Sequence, residues 1–269
     1  MKIGMFDSGM GGLALLHKAL ESYPAEEYIY YADLENVPYG EKTNEQIISY
    51  AVTATEFMTS QACDAIVVAC NTATSVAIET LRKMFSLPII GVEPAVKPAV
   101  THAGHLKVLV MATPVTVREA KLRELIISLD AQSDVFLLPM PELVKIAERE
   151  DFSSDAAKNY IKDRLSGLDL DEYSDLVLGC THFNYFKDTL AEILPKHISI
   201  IDGSGGTVQH LANLLSLQKS SCAPHFSLFT TGGKPASEEL TAKAARMLSR
   251  LDDVEMISCG KNDIEKPES

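Results

Sequence analysis

The sequence predicts an α/β fold: two similar domains with mostly parallel sheets flanked by helices, and an active cleft between the domains. Three observations carry that expectation. Short apolar runs alternate with amphipathic helical patterns along nearly the whole chain, the order that builds parallel sheets through helical crossovers. Two of these runs end alike, in VVACNTAT at 67–74 and LVLGCTHF at 176–183. A β-branched run that stops at a turn delivers its last residue to the carboxyl edge of a parallel sheet, where such folds bind ligands. The length of 269 residues is enough for two compact units, or one large one, at about 150 residues per domain.

The first unit opens with a strand from Ile3 to Phe6, a glycine-rich turn, and a helix with Leu13, Leu16 and Leu20 on one face. A strand at Tyr28–Tyr31 leads into a loop broken by Pro38 and Gly40. Thr43 and Gln46 then have the spacing of a capping box, for a helix that carries Ile47, Ala51, Ala54 and Met58 inward and ends near Ala62. Ala65–Ala69 is the next strand, with Cys70 at its tip. A helix from Thr72 to Phe85 follows and closes before Pro88, and Leu87–Val92 is another strand. The stretch 93–105, with two prolines and a glycine, reads as a crossing between domains.

The second unit repeats the pattern. It has a strand at Lys107–Met111, a capping box at Thr116 and Glu119 opening a helix through Leu122, Leu125 and Leu129, and a strand at Val135–Leu138. Helices near 141–149 and 154–166 precede the strand Asp175–Leu178, which ends at Cys180, and a helix runs through Phe186 to Leu194. The chain continues with a strand at Ile198–Ile201, a helix at Val208–Leu215, a strand at Phe226–Phe229, TTGG, a helix at Ser237–Leu251 and a last strand at Val254–Ile257. The tail 260–269 reads as frayed. The expected division is 1–93 plus 205–269 as one domain, bearing Cys70, and 94–204 as the other, bearing Cys180.

Composition narrows the function. A formal charge of −13, from 24 Lys+Arg against 37 Asp+Glu, leaves no basic stripe for phosphates, so nucleic acid is not expected as a partner. No run is long and apolar enough for a membrane span, and the start MKIGMFDSG lacks the apolar segment of a secretory signal, so a cytoplasmic location is expected. Five cysteines with no CxxC pair argue for reduced thiols rather than a disulfide framework or zinc ribbon. DSGMGG at 7–12 is neither a dinucleotide fingerprint nor a P-loop. Cys180 and His182, one residue apart with no second pair nearby, do not have the spacing of a metal site.

Two thiols on facing walls suit one task in particular: removing the α-proton of an amino acid from one face and returning a proton to the other. A thiolate is accessible near neutral pH, whereas a serine alkoxide is not. The carbanion needs preorganised donors. Ser8, Asn71, Thr72 and Thr181, with backbone N–H groups at Gly9, Gly40 and Asn71, are the candidates, while Asp7 is placed to hold the ammonium or assist Cys70, and His182 to assist Cys180. A lone cysteine is more often a buried structural residue, and Cys63, Cys222 and Cys259 keep that reading. The duplicated strand-end setting reverses it for Cys70 and Cys180. The other classes open at this point are a Cys/His hydrolase with Cys180 as nucleophile and a non-catalytic amino-acid-binding protein.

With DSGMGG at 7–12, PYG at 38–40, ACNTAT at 69–74 and GCTHF at 179–183 in this order, the chain resembles the glutamate racemases of the aspartate/glutamate racemase superfamily. The resemblance extends from the first strand to TTGG at 230–233. It implies two α/β domains with the site between them, no cofactor, and two-base exchange in which the first cysteine serves the D-enantiomer and the second the L-enantiomer. Also implied are a role in supplying D-glutamate for peptidoglycan and a homodimer. Substrate contacts map onto Asp7, Ser8, Tyr39, Gly40, Asn71, Thr72, Thr181 and His182, and an assisting glutamate maps onto Glu148. Two departures, Ala32 before Asp33 where the family has glycine and Phe183-Asn184 where it has Tyr-Pro, leave aspartate or another amino acid as the alternative substrate.

Overall fold

The structure, a computed structural model, describes residues 1–221 and 223–262, the side chains of 255–262 excepted. Strand β1 (Lys2–Asp7) is buried from Ile3 onward, as an apolar run in a sheet covered on both faces should be. Helix α1 (Leu13–Ser22) turns Leu13, Leu16 and Leu20 into the core. After β2 (Glu27–Ala32), α2 (Asn44–Ser60) starts from the capping box, with Thr43 and Gln46 each satisfying the other's backbone N–H. Its face of Ile47, Ala51, Ala54 and Met58 is fully buried. Strand β3 (Ala65–Val68), helix α3 (Asn71–Met84) and strand β4 (Ile89–Gly91) complete this run.

Helix α4 (Val96–Ala103) follows, then β5 (Lys107–Ala112), α5 (Pro114–Arg118), α6 (Ala120–Ser128), β6 (Val135–Pro139), α7 (Leu143–Glu148) and α8 (Asp155–Leu165). Strand β7 (Tyr173–Gly179) leads through 3₁₀ turns at Thr181–Phe186 into α9 (Lys187–Ile193). The chain ends with β8 (Ser199–Asp202), α10 (Ser204–Leu215), β9 (Phe226–Thr230), β10 (Lys234–Pro235) and α11 (Glu238–Asn262).

Two sheets result. One has six strands in the order β10-β9-β2-β1-β3-β4, the other four in the order β6-β5-β7-β8. Every neighbouring pair is parallel except the short β9–β10 hairpin. In both sheets the strand that leads to a cysteine lies beside the strand that opens its unit, β3 beside β1 and β7 beside β5. One hydrophobic cluster runs through both halves, joining Met10 and Leu13 to Leu143, Phe183 and Phe186.

Three expectations are corrected, while residues 93–105, which pass from β4 to β5, do so through α4. Pro98 lies in its first turn, where its missing N–H has no intrahelical partner to lose. The expected capping box at Thr116 and Glu119 does not form. Thr113 caps α5 by accepting from the Thr116 N–H, and the helix breaks at Glu119, which is extended (φ −66°, ψ 144°), before α6. The last strand at Val254–Ile257 is helix, part of α11. Ala244, Met247, Leu251 and Val254 are all buried, so the helical spacing of the buried stripe reaches Val254. Part of the tail read as frayed, 260–262, also belongs to α11.

Cys63, just beyond α2, is buried, and burial pushes its thiol up to about 11, in keeping with a structural residue. Cys222, the Cys259 side chain and residues 263–269 lie outside the described residues.

Candidate active site

The two cysteines occupy equivalent positions, each just past a buried parallel strand. Cys70 is the N-cap of α3, and its sulfur accepts the Ala73 N–H at 3.4 Å. Its S–H points to Ser8 Oγ at 3.8 Å. Cys180 follows β7 in extended backbone (φ −147°, ψ 135°) without capping the turn after it. Both are nearly enclosed, at 5% and 6% exposure. Ser8, the partner of Cys70, follows Asp7, whose carboxylate accepts from Thr181 next to Cys180, so the two thiols lie along one seam.

That seam is made by both halves. Asp7 ends β1, fully buried. One carboxylate oxygen accepts the Gly9 N–H at 2.9 Å, and the other accepts the Thr181 hydroxyl at 3.0 Å from the opposite half. Burial raises the Asp7 carboxyl, against the opposing pull of His182 and these two donors. Burial also pushes the Cys70 thiol up to about 12, with the Asp7 charge adding to it. Cys70 is therefore a protonated thiol at neutral pH.

On the other wall, His182 Nδ1 stands 3.9 Å from Cys180 Sγ, and its Nε2–H is donated to Glu148 Oε1 at 2.7 Å. Burial disfavours charge on this ring, but Cys180 and Glu148 outweigh it and hold the imidazole well above its ordinary value. Glu148, at the end of α7, also accepts the Met10 N–H at 2.7 Å and the Lys243 ammonium at 3.0 Å. Burial alone would raise its carboxyl. The His182 bond and charge, the Lys243 charge and the Met10 N–H together take it down to about 2. An imidazolium bonded to a carboxylate thus sits beside the second thiol.

The glycine-rich turn now has a physical reason. A Cβ at Gly9 would lie 2.2 Å from Glu148 Oε1, and one at Gly11 2.3 Å from His182 Nδ1. Glycine is needed there because the opposite half presses its acid and imidazole against the turn. Tyr30 donates to Gly9 O at 2.9 Å and Tyr185 to Met10 O at 2.9 Å, bracketing the turn from both sides.

Thr72 extends the link between halves, its hydroxyl lying 2.9 Å from that of Thr113 and 3.3 Å from that of Thr116. Asn71 is buried beside it. Tyr39 donates to Asp33 Oδ2 at 2.6 Å, and a Cβ on Gly40 would touch Thr113 Cβ at 3.0 Å. The PYG loop therefore packs across the same seam. Asn184 donates to Thr181 O and borders a cavity of about 390 Å³ that Lys18 of α1, Lys187 and Asp202 also line and neither cysteine does.

The structure also brings in residues that the motifs did not mark. Asp33 accepts from Asn36, Tyr39 and Thr231, holding the PYG loop to the TTGG turn. Lys243 reaches Glu148 from α11. Its signal in the sequence is a basic stripe, Lys243, Arg246 and Arg250 at helical spacing beside the apolar stripe, which looks like a solvated face until the helix is packed.

With this geometry in hand, known proteins of the same build can be set beside it. The Asp/Glu/Hydantoin racemase family model matches residues 8–211. A glutamate racemase of Campylobacter concisus is 49% identical over 96% of this chain and 100% of its own length. The crystal structure of a Francisella tularensis glutamate racemase in complex with D-glutamate superposes with a TM-score of 0.79 at 26% identity, covering 92% of this chain and 93% of that one. An Escherichia coli glutamate racemase in complex with L-glutamate and the activator UDP-MurNAc-ala gives a TM-score of 0.78 at 30% identity, covering 91% and 94%.

Proposed function

Because the chain belongs to the Asp/Glu/Hydantoin racemase family, we propose that it is an isomerase interconverting L- and D-glutamate by proton exchange between Cys70 and Cys180, without a cofactor. The observation that carries this reading is the convergence of two enclosed strand-end thiols with unlike partners. Cys180 stands beside the His182 ring, 3.9 Å from its Nδ1, and Cys70 is held as thiol.

In the L-to-D direction the Cys180 thiolate takes the α-proton, leaving the electron pair on the α-carbon, and the Cys70 S–H bond breaks to protonate the opposite face. Cys180 ends as thiol and Cys70 as thiolate, so a proton must return before the next L-substrate. The D-to-L direction is the reverse. Asp7, Ser8, Tyr39, Gly40, Asn71, Thr72, Thr181 and His182 are read as the substrate's binding groups, with donors at Ser8, Asn71, Thr72 and Thr181 meeting carboxylates and Asp7 the ammonium. Glu148 is read as assisting through His182. Residues 1–93 with 205–269 and residues 94–204 are read as the two domains that carry these walls. The product would serve peptidoglycan synthesis, in the cytoplasm and from a homodimer.

The test is loss of optical rotation from L-glutamate and, in parallel, L-aspartate, without added pyridoxal phosphate. Turnover of glutamate with wash-in of solvent deuterium at the α-carbon is expected. Full racemisation by both Cys70→Ala and Cys180→Ala would overturn the mechanism, and preference for L-aspartate would overturn the substrate.

A further inference from the structure

We propose that Lys243, on the C-terminal helix α11, is a positioning residue for the second thiol, acting through the carboxylate of Glu148. The inference rests on the reading of Cys180 and His182 as one arm of the proton exchange and adds a component that lies outside the motif-bearing loops.

Glu148 has two oxygens and three donors. The Met10 N–H and His182 Nε2–H both go to Oε1, whereas Lys243 is the donor given to Oε2, at 3.0 Å. Two bonds hold one oxygen, and a third on the other oxygen adds a second point of attachment that restrains the plane of the carboxylate further. The same ammonium donates to the Glu148 main-chain O at 2.7 Å, holding the end of α7 as well as its side chain. Both partners are sheltered, Lys243 at 21% and Glu148 at 14% side-chain exposure, so the attraction is less screened than at the surface.

Lys243 is itself held in place. Arg246, one turn on, pairs with Glu150 through two guanidinium nitrogens. Arg250 donates to Asp188 and to Tyr185 O, and lies over the Phe152 ring at 5.5 Å. One face of α11 thus grips the segment that carries Glu148 and the turn that carries His182. Among the described residues the contacts of the Lys243 ammonium are to Glu148 and not to either thiol, so its effect passes through Glu148.

The experiment compares Lys243→Gln, Lys243→Arg, Glu148→Gln and the double variant K243Q/E148Q with the full-length wild type. K243Q is expected to lower kcat about tenfold with KM within about twofold, and to raise the primary isotope effect from α-deuterated L-glutamate more than from the D-enantiomer. K243R is expected to recover most of kcat. The double variant is expected to be no slower than E148Q, because a residue acting through Glu148 has nothing left to act on. Arg246→Gln, which breaks the neighbouring pair with Glu150 but leaves the Lys243 ammonium on Glu148, is expected to lower kcat much less than K243Q.

In substrate-free protein, the downfield, slowly exchanging Nε2–H signal of His182 is expected in the wild type and weakened in K243Q. An unchanged signal, multiplicative losses in the double variant, or equal losses in R246Q would overturn the proposal. A wild type that shows the signal but does not racemise glutamate would sink the functional reading and leave the Lys243–Glu148–His182 linkage standing. Should K243Q not fold, Lys243→Met, which keeps the side-chain stem and removes the ammonium, decides alone, with isotope effects and a His182 signal identical to wild type overturning the proposal.

Discussion

The two thiol walls are alike in backbone and opposite in electrostatics. Cys70 caps a 14-residue helix and meets a backbone N–H, a serine hydroxyl and a nearby carboxylate, all from its own half. Cys180 caps nothing and instead heads a chain of charges, His182 to Glu148 to Lys243, drawn from three separate segments. The same strand-end placement therefore yields one thiol kept protonated by burial and a neighbouring negative charge, and another paired with a cation. A two-base exchange needs that inequality, since one group must accept a proton while the other holds one.

The sharpest way to break the comparison is to remove each sulfur. Cys70→Ala and Cys180→Ala are each expected to lower racemisation by about 10³-fold or more, the upper part of the range for a positioned acid or base. A loss confined to one variant, measured by circular dichroism of either enantiomer, would mean that only one wall transfers protons. Next in size, Glu148→Gln is expected to cut kcat about 10²-fold, because His182 loses its anionic partner. If kcat is unchanged, the charge chain has no part in the second wall.

Smaller effects sharpen the contrast. Gly11→Ala would set a methyl against His182 and is expected to cost about 1–3 kcal/mol, read from chemical denaturation, together with a loss of activity. Thr181→Val removes a donor to the buried Asp7 carboxylate and is expected to cost about 1.5–3 kcal/mol. A near-neutral result would show that the seam does not rely on that bond.

The two walls should also respond at opposite ends of the pH scale. The Glu148 carboxyl is lowered to about 2, so its contribution to stability is present above the unfolded value of about 4.3 and is lost as pH falls toward 2. The difference between wild type and E148Q should shrink over that acidic window. The Cys70 thiol is raised to about 12, so its contribution is present below about 8.5 and is lost as pH rises toward 12. C70A should lack that alkaline decline, as followed by unfolding free energy against pH.

Most strands and helices were legible in the chain because their signals are local. An apolar run such as Ala65–Val68, or the Thr43–Gln46 capping box, needs no partner elsewhere to be recognised. The failures were local patterns with two readings. Val254–Ile257 reads as a strand in isolation, yet its backbone belongs to α11, whose buried stripe reaches Val254. Thr116 has capping-box spacing, yet its hydroxyl is taken by Thr72 and Thr113.

By itself, the sequence determined the α/β alternation, the two cysteines at strand ends and the reduced state expected of an odd set of thiols. Periodicity and residue chemistry act within a few neighbours, so they survive in a linear reading. Only the tertiary structure decided how those thiols differ. Asp7 meets Thr181, Glu148 meets Met10 and His182, and Lys243 meets Glu148 across spans that no short-range pattern encodes. Charge and burial act through space, and it is the packing of α7, α11 and the turn after β7 against one glycine-rich loop that separates one thiol from the other.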